Sequence, residues 1–145
     1  MDFYIKPFDA LSGAEVYEIL KARSAVFMRE QEIRYLDMDD IDYRSLHCFM
    51  AEDGKVVGYL RAFAEPSQPH TFQVGRVLTT RRGRGLGRAL MEQSMASLQK
   101  QFHCRKVIVH SQTPAAGFYK KLGFFPIGEE FTEAGIPHIT MEYTL

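Results

Sequence analysis

Residues 81–90 read RRGRGLGRAL, with three glycines at alternate positions among four arginines, just ahead of a helical pattern. Glycine lets a backbone approach a ligand closely and adopt φ values closed to other residues. The first turn of a helix presents unpaired N–H groups at the positive end of its dipole. Together these make a site for phosphate or pyrophosphate, and forked guanidinium donors strengthen it. Three loop types are open to such a run. A dinucleotide loop, G-x-G-x-x-G, would need a third glycine where Arg88 stands. A Walker loop would need Gly-Lys-Ser/Thr at its end, which is missing. What remains is Arg82-Gly83-Arg84-Gly85-Leu86-Gly87, an Arg-x-x-Gly-x-Gly run between a strand and a helix. The bland alternative is a surface turn whose arginines serve solubility.

Further along lies AAGFYKKLGFFPIG, in which Tyr119 stands four residues before Gly123-Phe124. Phe118-Tyr119 on a helix is ordinarily core packing, and only its combination with the arginine-glycine loop is more specific. Other site chemistries are poorly served. The histidines at 47, 70, 103, 110 and 138 have no metal-ligand spacing. Cys48 and Cys104 form no CxxC pair, and no nucleophile elbow is present. The cysteines read as free, partly buried thiols.

The elements that must position these residues follow from periodicity. FYIKPF reads as a strand. SGAEVYEILKARSAVFMREQ reads as a helix with Ser12 as its cap and a stripe of Val16, Ile19, Leu20, Val26 and Phe27. Arg23 falls on that stripe, where it snorkels or pairs with an acid. DMDDIDYRS is acidic and loop-like, and a second short helix within 31–45 is open. LHCFMAED and KVVGYLRAFAE form a hairpin across Gly54, and TFQVGRVLTT is a further strand. A helix over about 85–102 carries Leu86, Leu90, Met91, Met95, Leu98 and Phe102 on one side. KVIVHS suits the covered middle of a sheet. TPAAGFYKKLG is a short helix with Thr113 as cap, Pro114 first and Gly123 as stop. Two strands around Gly135 complete a β-α-β-β-β-α-β-α-β-β order, an α/β domain with a mixed sheet.

A chain of 145 residues suits one domain, 1–145. Lys plus Arg equals Asp plus Glu at 18 each, which argues against a non-specific nucleic-acid binder. The local cluster Arg76, Arg81, Arg82, Arg84 and Arg88 keeps that class open, with steep salt dependence as its mark. No apolar run approaches the roughly 18 residues of a membrane span. The N-terminal MDFYIKPFDA is not a signal peptide, so a cytoplasmic location is expected.

These motifs resemble those of the GCN5-related N-acetyltransferase (GNAT) superfamily over essentially the whole chain. RSAVFMREQEIRYLDMDDID (23–42), VGRV and EAGIPHITM (133–141) resemble its ElaA-like branch more closely. The resemblance implies a single-domain GNAT-like fold with a mixed central sheet flanked by helices. It implies acetyl-CoA as co-substrate, no metal, and an amine acceptor of small-molecule or peptide type. In that family the loop holds the coenzyme's pyrophosphate, here Arg82, Gly83, Arg84, Gly85, Leu86, Gly87 and Arg88. The preceding strand contacts pantetheine and the acetyl carbonyl, here Val77, Leu78 and Thr79. Gln112 stands where many members have Asn, and Phe118 neighbours Tyr119, the tyrosine near the cofactor sulfur. The link from Val77 to Arg82 is about two residues shorter than usual, Thr79 and Thr80 replacing a proline-bearing turn. His110 stands where a small or apolar residue is expected. A homodimer through edge strands is compatible with such domains.

Direct transfer from a thioester to an amine sets three tasks. The ammonium must lose a proton, the oxyanion must be stabilised, and the thiolate must be protonated. A backbone N–H near Leu78 suits the second. Tyr119, a phenol with reference pKa of about 10, suits the third as general acid. For the first, Glu30 and His138 are the candidates, with Asp37, Asp39 and Asp40 behind them. Glu30 has a structural alternative in pairing with Arg23 or Arg34, His138 in a hydrogen bond, the aspartates in solvation. An acidic loop facing the cleft would favour a cationic acceptor such as a polyamine, an aminoglycoside or a lysine side chain. The reading from another class is a CoA-binding module without catalysis.

Overall fold

The central strands are buried along nearly continuous runs, so they need cover on both faces, and the helices provide it. The computed structural model describes residues 1–30 and 37–145, the side chains of residues 28–30 excepted. In chain order the elements are β1 (Asp2–Pro7), α1 (Gly13–Glu30), β2 (Leu46–Glu52), β3 (Lys55–Ala64), β4 (Thr71–Thr79), α2 (Leu86–Phe102), β5 (Lys106–Gln112), α3 (Ala116–Leu122), β6 (Phe125–Glu133) and β7 (Ile136–Thr144). The strands form a sheet in the order β1-β2-β3-β4-β5-β7-β6. β4 and β5 pair in parallel, joined by the α2 crossover, and the other described pairings are antiparallel. This is the mixed sheet expected from the order of elements. No helix among the described residues is long and apolar enough to cross a membrane.

Two packed layers follow from strand alternation. On one face Leu90, Met91, Met95 and Leu98 of α2 meet Cys48, Leu60, Ala62, Val74, Val107 and Val109, with Tyr119 and Phe124 joining from α3 and its exit. On the other face Ile19 and Ala22 of α1 cover Phe49, Val56, Tyr59 and Leu78. Both cysteines are free and buried, and burial pushes the Cys48 thiol up to about 12.

Helix ends obey local chemistry with one departure. Ser12 caps α1 reciprocally: its hydroxyl accepts from the Glu15 N–H (3.0 Å), and the Glu15 carboxylate accepts from the Ser12 N–H (2.8 Å). Gly123 stops α3 at a φ of 105°, with the Phe124 N–H donating to the Tyr119 carbonyl. Thr113 does not cap α3. A 3-10 turn over Thr113–Ala115, with Pro114 inside it, precedes the helix, and no side-chain cap bond forms. The proline pre-sets the turn instead. Of the segment 31–45, residues 31–36 lie outside the described residues, and a 3-10 turn spans Ile41–Arg44.

Arg23 is 1% exposed on the inner stripe of α1 and pairs with acids. Its guanidinium donates to Asp37 (2.8 Å) and Asp42 (2.7 Å), and to the Asp37 carbonyl (2.8 Å). Arg61 on β3 grips Asp39 with two bonds (2.6 and 2.8 Å) and also reaches Asp42 (3.1 Å). Arg76 on β4 meets Asp37 (2.9 Å) and Asp39 (3.4 Å). Three arginines from three elements thus hold the loop that follows α1. Beneath them His47 Nε2–H donates to the Asp42 carbonyl (2.9 Å), and the Tyr59 hydroxyl donates to His47 Nδ1 (2.7 Å).

Removing one partner of a buried ion pair leaves the others uncompensated, a loss of about 3–5 kcal/mol. Arg23→Ala should lower the unfolding free energy by about that amount in urea titrations. Acid should act in two stages. Burial holds the His47 imidazole below its ordinary pKa, so the unfolded chain takes up a proton first as pH falls through about 6.5. Stability declines from there, and His47→Gln should remove that stage. Burial raises the Asp39 and Asp42 carboxyls, but Arg61 and Arg23 outweigh it and hold them low. Their contribution is whole above about pH 4 and is lost below it, which sets the second stage. Urea midpoints from about pH 7.5 to about pH 3 would resolve both.

Candidate active site

β4 and β5 pair from Thr71 with Lys106 to Val74 with Val109, and no further. Yet β4 continues to Thr79 and β5 to Gln112. The divergence starts at a bulge. Arg61 opposes Gly75 and Tyr59 opposes Leu78, so β4 holds one residue more than β3 across this interval. Arg76 absorbs it at a φ of 52°, and such a bulge bends its strand. The ion pairs to Asp37 and Asp39 hold the Arg76 side chain in this strained place. β5 meanwhile follows β7 as far as Gln112 opposite His138. The two strands therefore open as a wedge around a cavity of about 570 Å³, into which Val77, Ser111, Gln112, Tyr119 and His138 all contribute.

The backbone of β4 gives the wedge its donors. The Thr80 N–H donates to the Val57 carbonyl (2.9 Å), and Leu78, two residues earlier, pairs with Tyr59. By alternation the N–H of Leu78 also faces β3, and that of Thr79 faces the wedge. The Leu78 side chain is buried under α1. Thr79 and Thr80 prolong the pairing with β3, and the glycine loop begins directly after them.

The loop itself is open. Gly83 (φ 76°) and Gly85 (φ 66°) need the left-handed region, and a Cβ at either would meet nothing within 4 Å. Gly85 caps α2 without a side-chain bond, and the first turn has no acid. The first bond across the helix start runs from the Ala89 N–H to the Gly85 carbonyl (3.0 Å). The N–H groups of Leu86, Gly87 and Arg88 lie ahead of it and point out of the helix end. The arginine cluster divides. Arg76 belongs to the ion network, Arg81 pairs with Glu52 (2.6 Å), and Arg88 pairs with Glu92 one turn on (2.6 Å). Arg82 and Arg84 stand exposed on the loop. Gly87 packs against α3, where an added Cβ would lie 3.3 Å from the Phe118 ring.

Phe118 and Phe124 both meet the Tyr119 ring edge-on, at 5.1 and 5.5 Å. Tyr119 is 7% exposed, and burial pushes its phenol up to about 12. Its hydroxyl makes no hydrogen bond to protein among the described residues, and it lines the cavity. His138 is fixed by its Nδ1–H, which donates to the Ile136 carbonyl (2.7 Å), so the neutral ring keeps its lone pair on Nε2. Glu30 ends α1, and its side chain lies outside the described residues, as does Arg34. The acids Asp37 and Asp39 are held by arginines, and Asp40 is exposed.

Sequence reasoning did not single out Glu133. Its carboxylate lies between two imidazoles, 3.3 Å from His110 Nδ1 and 3.6 Å from His138 Nε2. The signal was present in His110, a polar residue in an apolar strand, and in EAGIPHITM, which begins with Glu133. Among the described residues no cluster of His, Cys, Asp and Glu is arranged to hold a metal.

The acetyltransferase (GNAT) domain family matches residues 17–145. A UPF0039 protein of Schizosaccharomyces pombe is 34% identical over 100% of this chain and 98% of its own length. The ElaA protein of Escherichia coli is 30% identical over 90% of this chain and 88% of its own. Its crystal structure superposes with a TM-score of 0.87, covering 97% of each chain at 28% identity. An acyl-CoA N-acyltransferase from Pseudomonas aeruginosa superposes with a TM-score of 0.88, covering 98% of this chain and 99% of that one at 29% identity. The wedge, the glycine loop and these likenesses agree: the chain belongs to the GNAT acetyltransferase family, in its ElaA-like branch.

Proposed function

We propose that residues 1–145 act as an N-acetyltransferase that moves acetyl from acetyl-CoA to an amine by direct attack. The observation that carries this reading is the wedge between β4 and β5, which Tyr119 lines and whose β4 wall runs on through the glycine loop to the start of α2. An extended thioester arm fits between the two strands, and a pyrophosphate suits the N–H groups of the first turn. Arg82, Gly83, Arg84, Gly85, Leu86, Gly87 and Arg88 would hold that group. Val77, Leu78 and Thr79 would flank the arm, with Gln112 and Phe118 opposite. The buried free thiols fit a reducing, cytoplasmic compartment.

The C–N bond forms as the amine attacks the thioester carbon, and the C–S bond breaks as the oxyanion collapses. The Thr79 N–H, turned toward the wedge, is a donor for that oxyanion, a contribution of about 3–4 kcal/mol in comparable sites. The amine sheds one proton before attack and another as the amide forms. His138 Nε2 can take the first, with Glu30 as the alternative base. The second balances the thiolate, which leaves as thiol. Tyr119 acts as the acid on that side. Handing its proton over completely to a thiol of reference pKa about 8.5 would run uphill by roughly 5 kcal/mol. Its role is therefore a hydrogen bond that strengthens as charge gathers on sulfur, while the thiolate takes up the amine's second proton through water.

Two measurements test the reading. Calorimetric titration with acetyl-CoA and CoA should give micromolar binding to the wild type. Gly85→Glu should abolish it, because φ at Gly85 is +66° and the new carboxylate would face the bound anion. Wild type without affinity for either would end the proposal. Tyr119→Phe should lower kcat by about 10²–10⁴ while CoA affinity stays within about threefold. An unchanged kcat would remove Tyr119 from the chemistry.

A further inference from the structure

The acceptor side of the cavity carries two lining carboxylates among the described residues, Asp39 and Glu133. Asp39 is matched. Arg61 binds both of its oxygens, and Arg76 adds a third contact. Of the acidic loop only Asp39 lines the cavity, and its charge is already met by arginines. Glu133 differs, since its described ionic partners are imidazoles. The neutral form of the His138 ring, its Nδ1–H given to Ile136, turns the Nε2 lone pair toward Glu133 Oε2 at 3.6 Å. Two acceptors so placed need a donor between or beside them. An ammonium supplies up to three. Across the cavity Phe27, Ile41 and Phe63 offer apolar wall.

From this geometry we infer that Glu133 docks the acceptor, and that the acceptor is a monoamine with an apolar body. The chemistry after docking rests on the transfer reading, but the docking itself is separable from it. The ammonium sits between Glu133 and His138, so the group that holds the amine lies beside the lone pair that takes its proton. The body lies along Phe27, Ile41 and Phe63. A polyamine would bring further charges against a wall whose carboxylates are already neutralised, and would have to desolvate them without partners. Glu133 is a binding and positioning residue, and His138 the proton acceptor.

The test uses the protein saturated with CoA, titrated calorimetrically with phenethylamine and with spermidine, alongside steady-state acetylation of both. Phenethylamine should bind about tenfold or more tightly than spermidine. Glu133→Gln, an isosteric change at a half-exposed side chain, should weaken phenethylamine by about tenfold, as loss of a charged hydrogen bond implies. CoA affinity should not change, and KM for the amine should rise more than kcat falls. Spermidine binding as well as phenethylamine would overturn the inference, as would a Glu133→Gln affinity equal to wild type. Binding of phenethylamine that depends on Glu133 but yields no acetylated product would instead sink the transfer reading and leave docking standing. Acetylation of other amines without phenethylamine binding would do the reverse.

Discussion

Arg23 lies inside a helix face built to be apolar, and a buried guanidinium is tolerated only where carboxylates meet it. Its partners come from the loop after α1, and they are shared with Arg61 and Arg76. Desolvating six charges costs several kcal/mol for each ion before pairing offsets it. The return on that arrangement is geometric. A guanidinium fork admits few orientations of a carboxylate, so α1, β3 and the β4 bulge are fixed relative to one another. The bulge starts the divergence of β4 from β5, and the divergence makes the cavity. The shape of the cavity thus depends on ion pairs that bridge three elements.

The two ends of the cavity are built from different materials. Beyond Val77, along β4 toward α2, the groups on offer are main-chain: the wedge-facing N–H of Thr79 and the N–H groups of the first turn, which no side chain caps. Main-chain donors are insensitive to side-chain identity, and that suits the invariant part of a substrate. Toward β7 the groups are side chains on a hairpin, Glu133 and His138, beside His110 of β5. Those can change without disturbing the sheet. Under the transfer reading proposed above, this division would give a constant donor half and an adaptable acceptor half.

Much of this was legible in the chain. Periodicity marked α1 and α2, because their buried faces are helically spaced apolar stripes, while an apolar run marked β5 and turn residues marked α3 and the last hairpin. The glycine loop was legible because Gly83 and Gly85 occupy φ values that only glycine adopts easily. Arg23 was visible as an anomaly on an apolar stripe, but its partners were not, since Asp37 and Asp42 are brought to it by tertiary folding. Glu133 was overlooked for the same reason. A glutamate at a turn looks solvated until β5 and β7 bring two histidines to it. The Thr113 cap failed because Pro114 had already shaped the turn, and backbone geometry outran the side-chain bond. The bulge at Arg76 left no trace in composition, and the ion pairs that hold its side chain join residues distant in sequence.

The contact between Gly87 and Phe118 ties the first turn of α2 to α3. One residue belongs to the anion loop, and the other stands beside Tyr119. Across relatives of this chain, these two positions should vary as a pair. A side chain at 87 would press on the ring at 118 and make it give by a few tenths of an ångström, more for anything larger than alanine. The motif read as a phosphate signature is then also a spacing rule for the tyrosine helix.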